Sequence, residues 1–414
     1  MKDSPGSILM IVENRFPYDP RVRNEANALA ACGYRVTVIS LGTRAERAHE
    51  SVGGVDVYRL RRLTLFDKTQ KRNASPLAYL RVAVQSIIGY TFEYAYFTLA
   101  SLLLTAYVCA RKRIDVVHLH NPPDTLFVVA ASAKLFGKKV VFDHHDLSPE
   151  LYVSRYNKRP GGAVYRVLRG LEQACLRLAD LVVATNESYR EIDINRGHVD
   201  PSKIVVVRNG PDLQRVRMTA PDDRLRALGK TIVVYIGCMG PQDGVDYLLR
   251  AIRHLVDDLR TTDVYCVIIG TGDSIGDLKT LAHELHIDDY VWFTGFIPEQ
   301  DLLRYLSSAD ICVTPDPSSP LNDVSTWIKV LEYMTLGKPI VSFDLKETRR
   351  SASGAALYVR PNDELEFARG IATLMADPEL RKQMGELGRV RVETELQWDL
   401  VKNNLITAYR RLCP

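Results

Sequence analysis

Residues Pro315–Asp344, PDPSSPLNDVSTWIKVLEYMTLGKPIVSFD, carry one complete unit of a repeating plan. An apolar strand ends at Thr314. A loop of Pro, Ser, Asn and Asp follows. Ser325 and Thr326 open a helix that carries Lys329 and Glu332, Gly337 stops it, and Pro339 starts the next strand. The same alternation extends in both directions. Toward the N-terminus the apolar runs are Ile8–Val12, Arg35–Ser40, Val55–Leu60, Asp115–His120, Lys139–Phe142, Asp180–Thr185 and Lys203–Val207. The second half adds Thr231–Ile236, Val264–Ile269, Tyr290–Thr294, Asp310–Thr314, Pro339–Phe343 and Ala355–Val359. Short, continuously apolar strands separated by helix-length segments are the mark of parallel sheets covered on both faces. The two series meet at the turn-rich Arg208-Asn209-Gly210-Pro211. The expectation is an α/β chain of two doubly wound domains.

The 414 residues fit two such domains, and 46% hydrophobic with 25% charged residues excludes a disordered or fibrous chain. Charge is uneven: residues 1–210 hold 30 Lys and Arg against 20 Asp and Glu, and residues 211–414 hold 24 against 30. A basic first half suits an anionic partner or surface. The seven cysteines, at 32, 109, 175, 238, 266, 312 and 413, show no C-x-x-C spacing. Neither a zinc site nor a disulfide framework is expected, and a reducing cytoplasm suits them. The first apolar run, Ile8–Val12, is too short for the core of a signal peptide. Ser86–Ala110 holds one charge, Glu93, and ends at Arg111-Lys112-Arg113. It reads first as a buried crossover helix or helical hairpin, and second as a helix lying on a membrane surface.

Sheets of this kind place ligands at the carboxyl ends of their strands, and two of them invite a cleft. The first helix has Asp19 as cap, Pro20 at its first position, Val22, Ala26, Leu29 and Ala30 as its inner stripe, and Gly33 past its end. Arg21 and Arg23 in its first turn read as an anion site or as two solvated arginines. His118 and His120 share a face of the fourth strand, followed by Asn121-Pro122-Pro123-Asp124. His144, His145, Asp146 and Glu150 follow the fifth. A polar cleft is the expectation, with no spacing that resembles a zinc site. After the first strand of the second half, Gly237-Cys238-Met239-Gly240-Pro241-Gln242-Asp243-Gly244 offers backbone N–H groups to a phosphate. The absence of G-x-G-x-x-G argues against a nicotinamide dehydrogenase. In the segment first quoted, helix-start N–H groups, Ser325, Thr326 and Lys329 suit a diphosphate, and Glu332 suits a ribose diol.

In order and spacing the chain resembles the family 4 retaining glycosyltransferases. The motifs are Phe16–Ala26 (FPYDPRVRNEA), Asp115–Asn121 (DVVHLHN), Asp143–Glu150 (DHHDLSPE), Val207–Gly210 (VRNG), Gly270–Asp273 (GTGD), Phe293–Pro298 (FTGFIP), Ala309–Asp310 and Lys329–Pro339 (KVLEYMTLGKP). The resemblance implies a GT-B fold, with two Rossmann-like domains facing across a cleft. Residues 1–207 would bind the acceptor, residues 208–395 the nucleotide-sugar, and residues 396–414 would cross back as a helix.

It further implies a metal-independent retaining transfer from a nucleoside-diphosphate sugar, a co-substrate rather than a cofactor. The acceptor would be a saccharide, lipid-linked as in many relatives, in cell-surface polysaccharide synthesis. The location would be cytoplasmic, peripheral at an anionic membrane, without nucleic acid. Glu332 matches the second glutamate of the family's E-x7-E motif, and His120 its histidine near the donor sugar. Val324 stands at the first glutamate, with Asp323 the nearest carboxylate. The loop after the first C-terminal strand carries Met239 and Asp243 in place of the family's cations. The implied catalytic set is His120, Lys329 and Glu332. The implied donor set adds Gly237, Gly240, Asp323, Ser325 and Thr326. The acceptor set is Arg21, Arg23, His145, Asp146 and Glu150. The alternatives are a nucleotide-sugar epimerase on this fold and a catalytically inactive binding subunit.

Overall fold

The computed structural model describes residues 5–63, 76–156 and 158–413, with the side chains of 76–84, 86 and 87 excepted. It divides into two compact units, one running to Asn209 and resuming at Val401, the other spanning Gly210–Leu400.

The first unit is built on β1 (Ser7–Arg15), β2 (Arg35–Gly42), β3 (His49–Val52), β4 (Val55–Arg61), β5 (Val116–His120), β6 (Lys139–His144), β7 (Leu181–Ala184) and β8 (Ile204–Val206). They form one sheet in the order β3-β4-β2-β1-β5-β6-β7-β8. Every pairing is parallel except β3 with β4. β1 lies inside the sheet, and Ile8, Leu9, Met10 and Ile11 are fully buried, as continuous apolar strands of covered sheets must be. β3 was not expected: HESV has no apolar run. Its pairing comes from Gly53-Gly54, whose φ of 60° and 84° make the tight turn that closes a two-residue hairpin.

The second unit has β9 (Thr231–Ile236), β10 (Val264–Ile269), β11 (Val291–Gly295), β12 (Ile311–Thr314), β13 (Ile340–Phe343) and β14 (Ala356–Val359). The order β11-β10-β9-β12-β13-β14 reverses direction between β9 and β12, where Gly244 and the Pro315 loop meet. Gly244 has φ of 68°, and a Cβ there would lie 2.1 Å from the Pro315 carbonyl oxygen, so only glycine lets the two loops close.

Helix α1 (Pro20–Ala31) begins as expected, with the Asp19 carboxylate accepting from the Val22 N–H. Its buried face differs from expectation: Arg21 and Glu25 lie beside Val22, Ala26 and Leu29. Helix α2 (Pro76–Arg111) is one continuous helix of 36 residues, not a hairpin. It is not a buried crossover helix either, for only a third of its most apolar window is covered. Helix α3 (Phe127–Leu135) packs against it. The last helix, Trp398–Leu412, returns to the first unit and buries Leu405 and Tyr409 there.

Candidate functional site

In the first unit the candidate residues converge on one carboxylate. Register pairs His120, the last residue of β5, with Asp143 on β6, so both reach the carboxyl end of the sheet together. Asp143 is fully buried and accepts from Arg21 Nε at 2.7 Å and Arg21 Nη2 at 2.5 Å. His120 Nδ1 lies 2.8 Å from the same carboxylate, and His145 Nδ1 3.1 Å. Burial alone would raise this acid; the Arg21 and His145 charges hold it well below the usual carboxylate range.

This geometry corrects the reading of Arg21 as a ligand for acceptor phosphate. Its guanidinium is also bonded to the Val207 carbonyl at 3.1 Å and to Asn209 Oδ1 at 2.7 Å, and lies 3.3 Å from Glu25. Burial opposes its charge, but Asp143 and Glu25 drive its pKa further up. A buried arginine bonded to both Asp143 oxygens, the Val207 carbonyl and Asn209 has no fork left for a ligand. Arg23 is half-buried and donates to the Pro17 carbonyl at 3.2 Å.

Burial lowers the His120 pKa, and Asp143 opposes it only in part. The ring is therefore neutral, donates its Nδ1–H to Asp143, and keeps a lone pair on Nε2, which is buried with no partner among the described residues. His145 goes the other way: burial lowers it, but the Asp143 charge wins and raises it. Asn121 fixes the following loop. Its Oδ1 accepts from the His145 and Asp146 N–H groups, and its Nδ2 donates to the Asp146 carbonyl at 2.6 Å. Burial raises the Asp146 carboxyl. Behind this layer His118 stacks on His120 with ring centroids 4.2 Å apart, and its Nδ1 takes a bond of 2.8 Å from the Tyr409 hydroxyl.

Glu25, His118, His120 and Asp143 bring four ligand-type atoms within 4.8 Å of one another. Arg21 already supplies the cation at this point, bonded to both Asp143 oxygens. Among the described residues none donates a hydrogen bond to Glu25, and burial, then the Asp143 charge, lift its carboxyl well above the ordinary range. That shift favours the protonated acid, the poorer form for a metal ligand. Glu150 does not join the group. It accepts from Arg196 at 2.6 Å and Tyr165 at 3.1 Å, and Arg196 in turn holds Glu172 at 2.7 Å. Asp143, Glu25 and Tyr409 were missing from the expected set, and Asn121 stood in it only as part of the cleft after the fourth strand. Asp143 stands near a strand end, a position that would have found it.

In the second unit Lys329 is mostly buried. Its ammonium donates to Asp316 at 2.8 Å and sits over the rings of Tyr235 (4.8 Å) and Trp327 (5.0 Å). Asp316 also accepts from the Thr314 hydroxyl. Only one of three ammonium protons is bonded to Asp316, so Lys329 keeps donors for an anion. The helix starts at Ile328, later than expected, because the Ser325 hydroxyl donates back to the Leu321 carbonyl at 2.7 Å rather than capping it. Thr326 is half-buried between that turn and the helix. Glu332 is half-buried, and burial lifts its carboxyl to about 7, with the Arg215 charge opposing.

The glycine loop is more closed than expected. Gly237 N–H goes to the Ile269 carbonyl, Met239 N–H to Thr271, and Gly240 N–H to the Asp243 carboxylate. The amides of Gly237 and Gly240 are thus spent internally. Among the described residues the Cys238 amide is the one of these four with no acceptor. Asn322 ties this loop to the next by donating to the Gln242 and Pro317 carbonyls, both at 2.9 Å. Asp323 stands in the turn Asn322–Val324 and accepts from the Ser318 hydroxyl at 3.2 Å.

Residues 18–210 match the family model described as glycosyl transferase 4-like domain, and residues 230–377 that described as glycosyl transferases group 1. Alpha-maltose-1-phosphate synthase of Mycolicibacterium smegmatis is 26% identical over 317 residues, which cover 72% of this chain and 79% of that protein. D-inositol 3-phosphate glycosyltransferase of Thermobifida fusca is 26% identical over 254 residues, 58% of this chain and 57% of its own length. Among solved structures, sucrose-phosphate synthase of Thermosynechococcus elongatus superposes with a TM-score of 0.74 at 20% identity, covering 98% of this chain and 99% of that one. HepE of Anabaena in complex with UDP gives 0.68 at 14%, covering 98% and 100%.

Proposed function

This chain belongs to the glycosyltransferases with a family 4-like domain followed by a group 1 domain, on the GT-B fold, and from that premise we propose a metal-independent, retaining transfer. The sugar moves from a nucleoside-diphosphate donor to a saccharide acceptor. We further propose that the acceptor is lipid-linked, that the product is a cell-surface polysaccharide, and that the enzyme works in the cytoplasm against the membrane. The second unit would hold the donor and the first the acceptor.

The observation that carries this reading is the neutral His120, locked by Asp143 with Nε2 unspent. A hydroxyl of the donor sugar would donate to that nitrogen. The anomeric C–O bond breaks through an oxocarbenium-like state while negative charge grows on the diphosphate. Lys329 and backbone amides such as that of Cys238 would stabilise that charge. The acceptor oxygen bonds to the anomeric carbon on the face the diphosphate leaves. Its proton passes to the departing phosphate oxygen, so the step needs no side-chain base. Glu332 would accept the ribose hydroxyls. The rival reading, an inactive binding subunit, draws on Val324 at the position of the family's first glutamate.

UDP-glucose, the ligand in one HepE structure, is the first donor to try. The test is release of nucleoside diphosphate with an acceptor saccharide, followed by NMR of the product's anomeric configuration. Retained configuration supports the proposal. An inverted product would overturn the mechanism, and donor binding without turnover across a panel of UDP-, GDP-, ADP- and dTDP-sugars would favour the binding subunit.

A further inference from the structure

Helix α2 carries its polarity the wrong way round for a helix on a water-facing domain. Its covered side holds Glu93, Thr98, Ser101 and Thr105 beside Phe97 and Val108. Its outward side holds Ile88, Phe92, Leu99, Leu103 and Tyr107, from 43% to 73% exposed. Spacings of 4, 7, 4 and 4 residues keep these five on one face. Between Ile88 and Ala110 the single charged residue is Glu93, and it faces inward.

Two further features adjoin the end of this stripe. The turn from α3 into β6 exposes Leu135 (86%) and Phe136 (76%). It lies near α2, for the charge of Lys138 in that turn reaches Cys109, opposing the rise that burial gives its thiol. Arg35, Arg111, Lys112 and Arg113 line an open groove of about 950 Å³ where α2 ends and β2 begins. Asp56 and Asp115 pair with Lys112 and Arg113, leaving the groove net positive.

We propose that this face docks on an anionic bilayer. α2 lies along the interface with its outward side in the upper acyl region, and the groove cations meet lipid phosphates. The inference rests on the membrane location proposed above and assigns it to these residues.

Charge and area favour a bilayer over the other occupants. From Ile88 to Tyr107 the stripe is about 30 Å long at 1.5 Å per residue and about 10 Å wide, so about 300 Å². A stable dimer needs about 800 Å² on each partner. A spanning helix would have to strip α2 from α3 and present Glu93, Ser101 and Thr105 to lipid.

The experiment is sedimentation of the full chain with vesicles of phosphatidylcholine alone and of phosphatidylcholine with phosphatidylglycerol, at low and high salt. The expected result is pelleting with the anionic vesicles at low salt and release at high salt. Leu99→Glu with Leu103→Glu should abolish pelleting, and Arg111→Ala should weaken it about fivefold. Circular dichroism and thermal unfolding matching the wild type show that the variants are folded. Binding is read without turnover, so an inactive protein that pellets keeps this inference and sinks the enzymatic one. No pelleting of the wild type with anionic vesicles overturns it. So does a concentration-dependent dimer that the double variant dissolves, or resistance to both high salt and alkaline extraction.

Discussion

Arg21 and Asp143, both buried and 122 positions apart in sequence, form a two-point ion pair that fixes the first unit's candidate site. Asp143 is thereby aimed at His120, and α1 is pinned to β6. The pair is a scaffold rather than a ligand site.

Removing one member leaves a buried charge alone, which costs about 3–5 kcal/mol. Arg21→Met should therefore lower the urea midpoint sharply, while Arg23→Ala should shift it little. Equal, small shifts in both variants would show that Arg21 is not buried against Asp143 in solution. The pH dependence follows the sign of the shift. Asp143 is depressed, so its stabilisation is present above the ordinary aspartate range and is lost as pH falls through the folded value, below about 4.

His120→Ala should lower turnover more than it raises the Michaelis constant for donor, because the bond to Nε2 counts most as charge develops. Burial pushes the His120 pKa down, so any step it adds to the rate profile should fall below the ordinary histidine range. A fully active His120→Ala protein would return the residue to a packing role.

Burial lifts the Glu332 carboxyl to about 7, and ribose hydroxyls bond best to its ionised form. Donor affinity should rise as pH climbs through 7. Glu332→Gln should remove that dependence and weaken binding at pH 8 tenfold or more, as the roughly 1.5–3 kcal/mol of a hydrogen bond to a charged group implies. Calorimetric titration at pH 6 and 8 checks both; an unchanged affinity in the variant takes Glu332 out of the site.

Asp323 is the carboxylate nearest in sequence to the position that Val324 fills. If a shifted loop lets it contact the donor sugar, Asp323→Ala lowers transfer and Val324→Glu adds nothing. A silent Asp323→Ala together with a gain in Val324→Glu would sink the shifted-loop idea.

The sheets were legible because buried parallel strands must be apolar throughout, as ILMIV at Ile8–Val12 is. β3 was not, since its pairing depends on Gly53-Gly54 and not on its own HESV. The start of the helix at Ile328 was misplaced because a serine can bond backward as easily as cap forward, and Ser325 does the former. Arg21 was misread for a related reason. Spacing puts it at a helix start, but only the fold reveals that Asp143 and Glu25 are waiting there. The polarity of α2 was invisible from composition: apolar content says nothing about which side of a helix is covered.

Tyr409 and Leu405, four residues apart, fill the interior of a unit whose other members end at Asn209. The first domain is consequently completed only after the second has left the ribosome. Until the final turns emerge, His118 lacks its phenol partner and an apolar slot stands open beside the sheet. The middle domain, continuous from Gly210 to Leu400, is free to finish first, reversing the usual N-to-C order of domain folding. A fragment ending at Asn209 would be born with a gap in its own core, and a peptide of the last helix is the piece that would mend it.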